Sequence, residues 1–152
     1  MTKCLLILYA SQTGRTERLA EACHEGALRC EGVTVHVRRA AAASLEDLLA
    51  ADGVLIGTPE NFGYMAGAVK DFFDRTFYPA QGRVEGLPYG LFVSAGNDGR
   101  GAVASVERIA RGYPFKPVCP PLIVHGEPDE AALAAAQEMG ETLATGILMG
   151  MF

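Results

Sequence analysis

The 152-residue sequence contains no tryptophan, only three histidines and four cysteines, no basic excess and no apolar run of membrane-spanning length. Without such a run no transmembrane helix is expected. A net charge of −5 argues against a surface selected for nucleic acid or anionic lipid, since either favours a basic face. His24, His36 and His125 show no metal-ligand spacing with one another or with a cysteine. Cys23 and Cys30 share one helical face but lie two turns apart, roughly 10 Å along the axis, too far for a disulfide. Free thiols are therefore predicted at Cys4, Cys23, Cys30 and Cys119. Neither the G-x-x-x-x-G-K-[ST] loop of a triphosphate site nor the G-x-G-x-x-G turn of a dinucleotide site occurs, and nothing marks a nucleophile elbow. Only Lys3 directly precedes the first apolar strand, without the charged, apolar and cleavable regions of a signal peptide, and the expectation is a cytoplasmic protein.

What is present reads as an alternating α/β chain. Hydrophobic residues make up 49% and charged residues 20% of the sequence, enough apolar material for one core, and a single domain over residues 1–152 is predicted. Cys4 to Tyr9 is apolar without polar alternation, as in a central parallel strand covered on both faces. A helix from about Arg15 to Glu31 follows, with Leu19, Cys23, Gly26, Ala27 and Cys30 on its core stripe. Val33 to Val37 alternates, predicting a half-exposed edge strand with His36 on its polar face. Ser44 and Asp47 form a capping-box start for a short helix, Ser44 to Ala50. Gly53 to Gly57 is the third strand, and a helix from about Met65 to Phe77 is ended by Pro79. Tyr89 to Ser94 and about Gly101 to Arg111 are the fourth strand and helix. Among Pro117, Pro120 and Pro121 only Leu122 to Val124 reads as regular strand, at an edge. Pro128, Asp129 and Glu130 open the last helix, which continues to about Leu148. Five strands alternating with five helices predict a three-layer, doubly wound, five-stranded parallel sheet in the order 2-1-3-4-5. Ligands bind such sheets beyond the carboxyl ends of the strands, here at the switch point between strands one and three.

Three unusual loops follow strands one, three and four and converge on that crevice. Ser11-Gln12-Thr13-Gly14-Arg15-Thr16 crowds three hydroxyls, a glycine and an arginine at a helix N-terminus. Capping needs one such residue. The surplus, beside free N–H groups and the positive end of the helix dipole, is chemistry for an anion, and without a triphosphate signature a monophosphate. The loops at 58–64 and 95–101 are punctuated by Gly, Pro, Asn and Asp, a composition suited to turns lying close to a ligand. Glu60 and Asp98 could act as acids there, solvated loop carboxylates being the plainer reading. Cys23-x5-Arg29 matches the C-x5-R of phosphotyrosine-type phosphatases only formally, because it lies mid-helix on the core stripe.

Together these loops resemble those of the flavodoxin-like flavoproteins. Ser11-x-Thr13-Gly14-x-Thr16 is similar to the flavodoxin phosphate loop T-x-T-G-x-T, with Arg15 where an asparagine is common. Gly57-Thr58-Pro59-Glu60-Asn61-Phe62-Gly63-Tyr64-Met65-Ala66-Gly67 is similar to the G-T-P-x-x-F-G-x-M-A-G loop of bacterial NAD(P)H:quinone reductases and to the G-S-P-x-Y pattern of NADPH-dependent FMN reductases. The resemblance implies FMN as cofactor. Its phosphate would be held by the Ser11, Gln12, Thr13, Gly14, Arg15, Thr16 turn. Pro59, Glu60, Asn61, Phe62, Gly63 and Tyr64 would line the isoalloxazine, and Ser94, Ala95, Gly96, Asn97, Asp98 and Gly99 would close the other side. Flavodoxins commonly sandwich the flavin between two aromatics. This chain has no tryptophan, and its third loop has no aromatic at all, which would leave one flavin face open. An open face implies an oxidoreductase that takes hydride from NAD(P)H through flavin N5 and passes electrons to a small acceptor, needing orientation rather than a protein acid or base. The alternative is a non-catalytic electron carrier that docks redox partner proteins, and a third is a site that has lost its flavin. Arg75, Arg100 and Arg108 are candidates for an NADPH 2′-phosphate, against ordinary solvated charge. The chain lacks the large insertion of the tetrameric quinone reductases, and its apolar end, Ile147 to Phe152, fits either its own body or the partner of a homodimer.

Overall fold

The computed structural model describes residues 2–152. Strand β1 (Lys3–Tyr9) divides its side chains between two cores: Leu6 and Leu8 face one, and Leu5, Ile7 and Tyr9 the other. Burial on both sides is why that run shows no polar alternation. β2 (Val33–Arg39), β3 (Gly53–Pro59) and β4 (Pro88–Ala95) lie parallel to it, with β1 between β2 and β3. Beyond β4 the fifth position is shared by β5 (Lys116–Pro117) and β6 (Leu122–His125), both parallel to β4. The order 2-1-3-4-5 is therefore the one observed.

Helices α1 (Arg15–Ala27) and α5 (Glu130–Met149) cover one face, and α2 (Leu45–Leu49), α3 (Gly67–Ala80) and α4 (Arg100–Gly112) the other. The second layer is the more aromatic, with Phe72 and Phe73 fully buried from α3 and the Tyr113 ring edge-on to Phe77 and tilted against Phe73 and Phe115. Each such ring stabilises the fold by about 2 kcal/mol through burial. In the first layer α1 and α5 meet backbone to backbone. A Cβ on Gly26 would strike the carbonyl of Gln137, and one on Gly140 the carbonyl of Cys23. Gly26 belongs to the expected stripe because its absent side chain is what allows this approach.

Several elements differ from expectation at their ends. α1 stops at Ala27 because Arg29 and Cys30 donate to the carbonyls of Gly26 and Ala27 in tighter turns, and Cys30, half-buried, still packs against the core of Leu19, Cys23 and Ala27. α3 starts at Gly67 because Met65 and Ala66 remain extended, their N–H groups taken by Ser105 Oγ at 3.1 Å and Thr58 Oγ1 at 2.9 Å. It also runs through Pro79, ending one residue later at the fully buried Ala80. Lys116–Pro117 forms a strand the sequence pattern did not mark, separated from the expected edge strand by Pro120 and Pro121, which cannot donate to a ladder. His36 is half-buried rather than on an open polar face, its Nδ1 3.6 Å from Cys4 Sγ. The capping box at Ser44 and Asp47 is present in both directions, at 3.1 and 2.9 Å.

Candidate functional site

The first loop turns into α1 through Gly14, whose φ of 95° places it in the left-handed region that favours glycine. Ser11 Oγ accepts hydrogen bonds from the N–H groups of Gly14 at 3.2 Å and Glu17 at 3.3 Å. The serine oxygen thus frames the turn, and its own proton remains available for a ligand. Among the described residues the N–H groups of Arg15 and Thr16 have no protein acceptor, Thr13 is exposed beside them, and no atom lies within 4 Å of where a Cβ on Gly14 would stand. Unpaired donors facing open space at a helix N-terminus are an anion cradle.

Charges around the cradle are paired across the fold. Glu127, in the turn between β6 and α5, binds Arg15 Nε through one oxygen and Arg18 Nη1 through the other, each at 3.0 Å. On the opposite side Glu17 accepts from the Tyr9 hydroxyl at 3.0 Å and from Arg39 at 2.7 Å, and the Arg39 guanidinium lies 5.2 Å over the Tyr9 ring.

The second loop is locked to the third. Thr58, fully buried, accepts from Ala66 N–H and donates to the Pro59 carbonyl at 2.8 Å. Glu60 donates its N–H to the Ser94 carbonyl at 2.9 Å. Its carboxylate reaches the start of α4, accepting from Gly99 N–H at 2.9 Å and Ala102 N–H at 3.2 Å. Glu60 is therefore a helix cap rather than a solvated carboxylate or an acid. Between Asn61 and Tyr64 the chain reverses in a two-residue turn closed by reciprocal backbone hydrogen bonds, with φ of 53° at Phe62 and 72° at Gly63. This projects the Phe62 ring wholly into solvent, with Tyr64 also exposed. On the third loop Asp98 is exposed and bound to Arg100 Nε at 2.7 Å, and the arginine's hydrogen bonds hold its carboxyl below the usual carboxylate range. His125 Nε2 donates to the Asp98 carbonyl at 2.9 Å.

A solvent-open cavity of about 150 Å³ brings together Gln12, Thr13, Arg15 and Thr16 from the first loop, Pro59, Glu60 and Asn61 from the second, and Ser94, Ala95 and Gly96 from the third. Ser11 and Gly14 frame it from behind. Phe62, Gly63 and Tyr64 form the turn beyond its rim, and Asn97, Asp98 and Gly99 lie outside it. A second cavity of about 250 Å³ shares Gln12 and Asn61 with the first and extends toward Arg39 and Ala68. Arg75, on α3, lines neither cavity: its guanidinium is bound to the carbonyls of Ala40 and Ala43 and to Asp71. The thiols stand apart too, with burial pushing Cys23 up to about 12 and raising Cys4. Sequence reasoning missed Glu127, and it placed Thr58 in the second loop without its role as the buried tie between Pro59 and Ala66. Glu127 could have been found from topology, because the turn after the last strand opens at the same carboxyl edge as the three ligand loops.

The family model described as Flavodoxin matches residues 7–140. A curated flavodoxin from Aquifex aeolicus is 36% identical over 97 residues, covering 64% of this chain and 52% of that protein. An NAD(P)H dehydrogenase (quinone) from Acidithiobacillus ferrooxidans is 37% identical over 111 residues, covering 59% of this chain and 56% of that protein. The chain thus spans about half the length of these curated relatives. Among solved structures, a flavodoxin from the domain Archaea superposes with a TM-score of 0.85 at 22% identity, covering 95% of this chain and 99% of that one.

Proposed function

This chain belongs to the flavodoxin family, whose members bind FMN, and from that premise we propose that it is an FMN-dependent oxidoreductase that takes hydride from NAD(P)H and delivers electrons to a small acceptor. The cradle fits the cofactor's phosphate: free amides at Arg15 and Thr16, an exposed Thr13 hydroxyl and open space beside Gly14. In this reading Gln12, Thr13, Gly14, Arg15 and Thr16 hold that phosphate, with Ser11 donating its remaining proton. Pro59 to Asn61 and Ser94 to Gly96 flank the rest. FMN, when bound, supplies a ring that accepts hydride at N5 and releases the electrons in turn. The protein's part is to bind, orient and leave access.

The observation that carries the enzyme reading is the third loop. It offers no aromatic between Ser94 and Gly99, and among the described residues no atom beyond the chain neighbours lies within 4 Å of where a Cβ on Gly96 would stand, so that side is accessible to a stacking nicotinamide. The similarity to the NAD(P)H dehydrogenase (quinone) supports the same reading. A non-catalytic electron carrier is the second reading, favoured by the exposed Phe62 ring at the rim and by the similarity to the Aquifex flavodoxin.

Anaerobic mixing of the FMN-loaded protein with excess NADH or NADPH, followed by flavin absorbance, separates the two. Rapid bleaching is expected and names the donor; reduction by dithionite alone makes the carrier reading correct. For the cradle, Thr13→Ala and Arg15→Ala are each expected to weaken FMN binding by about 1–3 kcal/mol, as loss of a hydrogen bond to a charged group does. His36→Ala, remote from the cradle, leaves it unchanged. Fluorescence titration of the apo variants reads this out, and equal affinities throughout would remove the phosphate assignment.

A further inference from the structure

We propose that Glu127 is an internal counter-anion that competes with the cofactor's phosphate for Arg15 and so limits how tightly a phosphorylated flavin is held. The inference rests on the FMN reading above. Its basis is geometric. Arg15 lines the cavity, yet its Nε is already bound at 3.0 Å to Glu127, whose other oxygen holds Arg18 at 3.0 Å. Arg18 is tied to the same turn a second time, donating from Nη2 to the Pro128 carbonyl at 3.4 Å. One carboxylate therefore pairs with two guanidinium groups, drawn from 109 and 112 residues away, at the edge of a cradle built to receive an anion.

The Glu127 side chain is 66% exposed, so releasing it to water is inexpensive compared with releasing a buried ion pair. Gly126 before it, at φ 71°, and Pro128 after it set the turn that aims it. A phosphate dianion entering the cradle meets a guanidinium already neutralised and a like charge beside it. Both effects oppose phosphate, and neither acts on an uncharged flavin. Glu127 thus separates recognition of the phosphate from recognition of the ring.

The test titrates FMN and riboflavin separately into wild-type protein, Glu127→Gln, Arg15→Met and the double variant, all freed of flavin, by fluorescence quenching at low salt. Glu127→Gln is expected to tighten FMN by about three- to tenfold, the size of one nearby like charge in water, with riboflavin unchanged. On the Arg15→Met background the gain is expected to fall below about twofold, because the contested group is gone. Unchanged or weaker FMN binding by Glu127→Gln, an equal gain for riboflavin, or an undiminished gain without Arg15 would each overturn the proposal while leaving the FMN reading in place. Failure of the wild-type protein to bind FMN would overturn both.

Discussion

Two helices in this protein begin in the same way and are finished differently. α1 and α4 each follow a parallel strand, and each starts after a left-handed glycine, Gly14 at φ 95° and Gly99 at φ 93°. Neither glycine can supply a side-chain cap, so both helices present bare amides at the carboxyl edge of the sheet. At α4 carboxylates fill that gap: Glu60 reaches across from the second loop to bind the amides of Gly99 and Ala102, and Asp98 Oδ1 accepts from that of Arg100 at 3.3 Å. At α1 Ser11 Oγ, a neutral acceptor, takes the two equivalent amides, Gly14 and Glu17, and those of Arg15 and Thr16 are unbound among the described residues. The dipole and the geometry are shared. What differs is that the chain spends its own carboxylates at α4 and none at α1, which is why the FMN reading assigns the phosphate to α1.

The comparison can be broken at α4 first. A Cβ on Gly101 would overlap the Gly63 carbonyl, a backbone atom that cannot swing aside. Gly101→Ala is expected to destabilise the protein by about 3 kcal/mol in urea unfolding, as overpacking against fixed atoms does. Glu60→Ala, which strips the α4 cap and unties the second loop from the third, is expected to cost about 2 kcal/mol by the same measurement. At α1 the corresponding change is milder: Gly14→Ala meets no atom within 4 Å, so the left-handed backbone alone costs about 1 kcal/mol. That variant sharpens the contrast if its FMN affinity falls while its urea midpoint barely moves. The smallest effect belongs to Asp98. Arg100 lowers its carboxyl below the unfolded value, so its contribution is present above the ordinary carboxylate range and is lost as pH falls through that range. Because the group is fully exposed, Asp98→Asn is expected to leave the urea midpoint unchanged near neutral pH and to flatten its acid-side slope slightly.

The open helix start was legible in the sequence and the filled one was not. Ser11, Thr13, Gly14 and Thr16 are neighbours in the chain, so their joint chemistry can be read locally. Glu60 acts on Gly99 and Ala102, about forty positions away, and nothing in its own loop distinguishes a cap from a solvated acid. The same separation hid Glu127, which meets Arg15 only because parallel strands bring every following turn to one edge. Strand order followed from the hydrophobic pattern: β1 and β3 are apolar on both faces, whereas β2 alternates in sequence and is only partly buried. The divided fifth strand escaped notice because Lys116–Pro117 is too short to show any periodicity.

The glycine crossing of α1 and α5 bears on the cradle from the far end. Gly26 lies against the backbone of Gln137 and Gly140 against that of Cys23, so each helix seats a notch on the other's spine. With no flexible side chain between them, neither sliding nor rolling is available to α1 without a collision of main chains. Its N-terminal amides accordingly behave as fittings on a clamped shaft, their aim fixed before any ligand arrives, and filling either notch with a side chain would disturb the cradle from a distance without touching it.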